Sequence, residues 1–178
     1  MKPWQIIDSE PLIQDRWMKL RADTCELPHG GSVSPYYVIE ESDWVQVFAR
    51  DDHGRILIVT QYRHAAGVNC AELPGGIIDA GEQPLQAAKR ELLEETGYGA
   101  DQWHKIGQFL ANPARLTNTV HVFLATDLNL KSRQTLDPSE EIAFDFHSEA
   151  DVRTMISAGE FSQGLHIASF FLGIESSF

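Results

Sequence analysis

Short apolar runs of strand length, parted by turn residues, make up the first third of the chain. "RWMKLRADTCEL" and "SVSPYYVIEE" flank "PHGG" and predict two strands around a turn. "WVQVFAR" and "RILIVTQYR" flank "DDHG", where Asp and Gly suit a hairpin. The period then changes. Leu85, Ala88 and Leu92 recur at helical spacing after Pro84, and Gly97 stands where a helix C-cap belongs. "HVFLATDL" is apolar enough for a buried strand, while "IAFDFH" alternates like a half-exposed one. "EADVRTMISAG" and "SQGLHIASFFLGI" predict two further helices, the first ending at Gly159. Strands and helices interleave without a regular βαβ beat, which predicts a mixed α/β sandwich. The pattern divides the chain into a small N-terminal antiparallel sheet over 1–43 and a larger α/β domain over 44–178.

Composition narrows the classes of function. The 178 residues, 43% of them hydrophobic, suffice for a well-filled core, and the net charge is −12 with histidines neutral. That acidic balance argues against nucleic acid or an anionic membrane as partner, since both are held by basic surface. No segment approaches the ~20 apolar residues needed to span a bilayer. The N-terminus carries acids early and reads as no signal peptide. Cys25 and Cys70 are far apart and form no CxxC motif, as expected of reduced thiols in a cytoplasmic protein. The seven histidines are scattered and show no ligand spacing.

The predicted helix after Pro84 poses a chemical question. Glu91, Glu94 and Glu95 stand at i, i+3 and i+4 and share one helical face, beside the buried stripe. A solvated acidic stripe is one explanation. Like charges at that spacing destabilise a helix, however, and acids in its last turn oppose the dipole. A cation among them is the other explanation, and clustered carboxylates suit Mg²⁺ or Mn²⁺.

The stretch from Gly76 to Tyr98 resembles the Nudix box, GX5EX7REUXEEXGU, with U an apolar residue. Gly76, Glu82, Arg90, Glu91, Leu92, Glu94, Glu95 and Gly97 occupy its fixed positions, and Tyr98 fills the last apolar slot. The resemblance implies an α/β/α sandwich with a mixed sheet, and a hydrolase of nucleoside diphosphates linked to another group. It implies that Glu91, Glu94 and Glu95 bind Mg²⁺ or Mn²⁺, with more than one ion per site. Gly75 or Gly76 would lend a carbonyl, Arg90 would orient the glutamates, and Glu82 would support the loop and helix.

The flanks narrow the branch. "QYR" at Gln61–Arg63, "ELPGG" at Glu72–Gly76, and Pro113 sixteen residues beyond Gly97 are similar to ADP-ribose pyrophosphatases. "NPARLTN" departs from the Ser-Pro-Gly more usual around that proline. The resemblance continues through "HVFLA", "EEIAF" and "SAGEF" and so spans nearly the whole chain. It implies magnesium-dependent cleavage of ADP-ribose, or a related nucleoside diphosphate sugar, into a nucleoside monophosphate and a sugar phosphate. Another nucleoside diphosphate derivative, such as a dinucleoside polyphosphate, is one alternative. A nucleotide sensor without catalysis is the other, disfavoured by the intact box. Arg63 ends an apolar strand, where a guanidinium could clamp a phosphate bidentately; a merely exposed strand end is the alternative. Arg115 is a second candidate for that contact. Trp17 and Tyr36 fall where the branch stacks aromatics on adenine, with sheet packing as the alternative. The branch also implies a homodimer joined through N-terminal sheets, each subunit completing the other's nucleotide pocket. For the general base, the branch supplies an acid from a loop ahead of an "xI" strand, which matches Glu140; Glu141 should point elsewhere.

Overall fold

The computed structural model describes residues 1–176, so only the last two residues of the 44–178 span lie outside it. Ten strands and three helices follow in the order β1 (Gln5–Gln14), β2 (Lys19–Glu26), β3 (Ser32–Ile39), β4 (Trp44–Ala49), β5 (Ile56–Arg63), β6 (Val68–Glu72), β7 (Gly75–Ile77), α1 (Pro84–Thr96), β8 (Tyr98–Leu110), β9 (Thr119–Leu130), β10 (Ile142–His147), α2 (Glu149–Ala158) and α3 (Gly164–Glu175). Contacts group them into two compact units, Met1–Asp43 with Leu110–Thr119, and Trp44–Phe109 with Val120–Phe178.

In the smaller unit β1, β2 and β3 form an antiparallel sheet in that order. β1 was not signalled by the sequence as a strand, and it is exposed along its whole length. The 110–119 segment closes onto the end of β3, where the Ile39 N–H donates to the Arg115 carbonyl at 2.8 Å.

The larger unit holds a mixed sheet in the order β7-β4-β9-β8, with β4 parallel to β9 and antiparallel to β7, and a second sheet in the order β10-β5-β6. Strand alternation separates its two cores. Val45, Val47, Leu57, Val59, Phe123 and Ala125 face one way, onto Ala87, Ala88 and Leu92 of α1. Phe48, Ile56, Ile58 and Leu124 face the other, onto Val152 and Phe170 of α2 and α3, which makes the α/β/α layering. Gly173 of α3 permits this contact, since a Cβ there would lie 2.2 Å from the Phe48 ring.

Helix ends follow local chemistry. Pro84 opens α1 and Gly97 ends it in the left-handed conformation. Ser148 and Asp151 form a capping box at α2, which ends at left-handed Gly159. β8 also went unsignalled, because its residues are mostly half-exposed and mix polar with apolar positions. No helix among the described residues is long and apolar enough to cross a membrane.

Candidate active site

The glutamates of α1 are not equally solvated. The side chain of Glu94 is 43% exposed, whereas that of Glu91 is 14% exposed and Glu95 is nearly buried. Burial pushes the Glu91 carboxyl above the usual range, against the pull of Arg90. Burial pushes Glu95 well above it, and the negative charges of Glu91 and Glu140 add to the effect. Glu95 is held by the Gly75 N–H, which donates to Oε2 at 2.9 Å.

Arg90 is the hub on the other side. Its Nε and Nη2 donate to the two carboxylate oxygens of Glu82 at 3.0 and 2.9 Å, and Nη2 also reaches the Ile77 carbonyl. Nη1 donates to Glu91 at 2.8 Å and Glu94 at 3.2 Å. These bonds lower the Glu82 pKa and raise that of Arg90. Glu82 in turn accepts from the Asp79 N–H and so ties the glycine loop to the helix.

Close approach fixes both glycines ahead of the helix. A Cβ at Gly75 would stand 2.2 Å from the Val45 carbonyl oxygen, and one at Gly76 would stand 2.5 Å from Glu91.

Glu140 lies in the loop before β10, where it accepts from the Asp137 N–H at 3.1 Å. Its charge bears on both Glu91 and Glu95, so the loop and α1 are brought together. Sequence reasoning missed what ties them. Gln134 Nε2 donates to the Glu95 carbonyl at 2.6 Å and to the Ile142 carbonyl at 3.0 Å. A glutamine in a polar loop carries no sequence signal of such a bridge.

Arg63, at the end of β5, donates through Nε and Nη2 to both oxygens of Glu72, and its own charge is felt at Glu95. Behind Glu72 lies His166 of α3, which no ligand spacing had marked. Its Nδ1 accepts from the Leu73 N–H at 3.1 Å, and its Nε2 stands 3.4 Å from Glu72.

Trp17, Tyr36 and Arg115 belong to the smaller unit. Trp17 sits in the β1–β2 turn, 78% exposed, with Arg16 over its ring. The Tyr36 hydroxyl donates to the Ala114 carbonyl at 2.7 Å, and its ring meets Trp4 edge-on. Arg115 follows directly after Ala114, and its N–H donates to the Asn112 carbonyl.

Among the described residues no three His, Cys, Asp or Glu side chains are already gathered as a metal cage. Arg90 and the Gly75 N–H between them engage one oxygen each of Glu91, Glu94 and Glu95 and leave the other oxygen of each carboxylate. The donors themselves fit a hard divalent ion: half-buried Glu91 and buried Glu95 on adjacent turns, raised by burial and mutual repulsion, gain most from such a charge. A separate open cleft of about 460 Å³, lined in part by Asp51, Asp52, Asp127 and Glu149, contains none of these residues.

Comparison with known proteins agrees with the geometry. The family model for the NUDIX domain matches residues 43–165, and that for the nucleoside diphosphate sugar hydrolase N-terminal domain matches residues 4–39. An ADP-ribose pyrophosphatase of Mycobacterium tuberculosis (strain ATCC 25618 / H37Rv) is 34% identical over 93% of this chain and 80% of its own length. One from Bacillus subtilis (strain 168) is 36% identical over 75% of this chain and 72% of its own. The crystal structure of an ADP compounds hydrolase superposes with a TM-score of 0.86 at 20% identity, covering 98% of this chain and 94% of that one.

Proposed function

Because the chain belongs to the Nudix family of hydrolases, we propose that it cleaves the pyrophosphate of ADP-ribose, or of a close nucleoside diphosphate sugar, giving AMP and ribose 5-phosphate from the former. The observation that carries this reading is the convergence of half-buried Glu91 and buried Glu95 with Glu140, beside an arginine whose charge reaches Glu95. The names of the two pyrophosphatase relatives supply the substrate class.

Glu91, Glu94 and Glu95 with the Gly75 carbonyl would hold Mg²⁺ or Mn²⁺, more than one ion per site. Bound there, such ions supply charge neutralisation for the diphosphate and a lowered pKa for water. Arg90 holds Glu91 and Glu94 in register with Glu82. Arg63 spends Nε and Nη2 on Glu72, which leaves its Nη1 edge for a phosphate oxygen, and Arg115 is a second cationic contact. Glu140, on the loop beside Glu91 and Glu95, takes the proton from the attacking water.

We further propose a homodimer in which Trp17, open to solvent, stacks on adenine in the partner's site, with Tyr36, held in its own sheet by Ala114 and Trp4, as a second aromatic for the base. The buried free cysteines Cys25 and Cys70 support a reducing, cytoplasmic setting.

Phosphate release after phosphatase coupling, measured over a panel of nucleotide sugars and dinucleoside polyphosphates with Mg²⁺, tests the reading. ADP-ribose should lead the panel. Removing a general base costs ~10²–10⁴ in rate, so Glu140→Gln should lose turnover by that order while Glu141→Gln stays mild. No hydrolysis of any member of the panel would leave nucleotide binding alone as the function.

A further inference from the structure

We infer that His166 and Glu72 are a positioning pair that sets the Arg63 guanidinium against the substrate diphosphate; this rests on the phosphate contact proposed above for Arg63. Glu72 is 1% exposed, and a carboxylate so buried is stable only when its oxygens are paired. Arg63 supplies two N–H donors in fork geometry. His166 stands against the same carboxylate at contact distance. Because its Nδ1 accepts from the Leu73 N–H, the ring proton sits on Nε2, the nitrogen that faces Glu72 Oε2 at 3.4 Å.

The arrangement spans three elements: β5 brings the arginine, the end of β6 brings the carboxylate, and α3 brings the imidazole. The arginine side chain is 45% exposed while its partner is buried, so its inner edge is fixed and its outer edge is open. A guanidinium held at Nε and Nη2 can rotate only if Glu72 moves with it. Glu72 in turn is pinned by a helix packed in the core. His166 is neutral in this setting, since burial lowers its pKa to about 4. It therefore presents an N–H dipole to Glu72 rather than a competing cation for the diphosphate.

The test separates positioning from simple packing. His166→Asn keeps an acceptor near the Nδ1 position for the Leu73 N–H but removes the N–H that faces Glu72. Its KM for ADP-ribose should rise roughly threefold, less than the loss of a full hydrogen bond to a charged group would give, with kcat little changed. His166→Gln, which restores a donor near the Nε2 position, should recover much of that KM. In an Arg63→Ala background, His166→Asn should add no further rise. A wild-type KM in His166→Asn, or an equal rise in both backgrounds, overturns the inference. If His166→Asn does not fold, Glu72→Gln must raise KM instead, and a wild-type value there overturns the inference equally. A wild-type KM in Arg63→Ala alone would defeat the phosphate contact itself, and the inference with it. A raised KM in Arg63→Ala with none in His166→Asn defeats the inference only.

Discussion

Glu95 carries a charge that its surroundings disfavour. Burial holds its carboxyl well above the ordinary pKa, and only the Gly75 N–H and the more distant Arg63 favour the ionised form. Glu95→Gln keeps an acceptor for that N–H and removes the charge. The variant should melt above wild type without divalent ion and gain nothing from added Mg²⁺, while losing most turnover; thermal melts with and without Mg²⁺ check this. His166 carries the opposite sign. Its folded pKa is about 4, below the unfolded ~6.5, so the unfolded chain binds its proton first. Its contribution is complete above about pH 6.5 and is lost as pH falls towards 4, an effect of at most ~3 kcal/mol. Glu72 favours the charged imidazole and Arg63 opposes it. Burial raises the Glu91 and Glu95 carboxyls and so works with the opposite sign as pH falls, which makes a difference the clean measurement. Chemical denaturation of wild type against His166→Asn from pH 7.5 to 4.5 should show wild type losing ground. A constant difference across that range would refute the assignment.

The C-terminal turn of α1 shows how an element is finished by its neighbours. Its last carbonyls are satisfied from different sources: Leu93 by the Gly97 N–H, Glu94 by the Thr135 N–H, and Glu95 by Gln134. Gly97 has φ of 75°, and a Cβ there would lie 2.3 Å from the Ser132 carbonyl oxygen. Gly97→Ala should therefore cost more than the ~1–2 kcal/mol of left-handed backbone alone, read as a lower denaturation midpoint. Gln134→Ala removes both amide bonds of the bridge. It should cost about 1–3 kcal/mol, since half-buried carbonyls lose their donor, and it should lower kcat by loosening the Glu140 loop. An unchanged midpoint would show that water replaces the bridge. The helix itself was legible in the sequence because its stripe, its opening proline and its closing glycine are local signals. The bridge was not, because a polar loop residue finds its acceptors only after the chain has folded back.

At the scale of the whole molecule, β1 poses a solubility problem. It is the edge of its sheet, and Ile6, Ile7, Leu12 and Ile13 are all exposed, at and beside its two register irregularities. An apolar edge of this kind invites pairing. The 20.0 kDa chain should therefore sediment as a species of twice that mass, and Ile7→Lys with Ile13→Lys should return it to monomer. If Trp17 completes a partner's pocket, the same pair of substitutions should raise KM; a wild-type monomer at micromolar concentration would end both ideas. The sequence by itself determined the glutamate helix, its glycine loop and the membership of the family, because these depend on residue types at fixed short spacing. It also marked the buried strands β4, β5 and β9, whose apolar runs declare themselves. Only the tertiary structure decided which glutamate is buried, that Gln134 holds the loop of Glu140, and that His166 stands behind Glu72. Leu73 and His166 are 93 residues apart, and nothing in a chain's local pattern records which distant partner will satisfy a buried charge. That pairing is set by where the strands and α3 pack, and burial then makes an unpaired carboxylate too costly to leave alone.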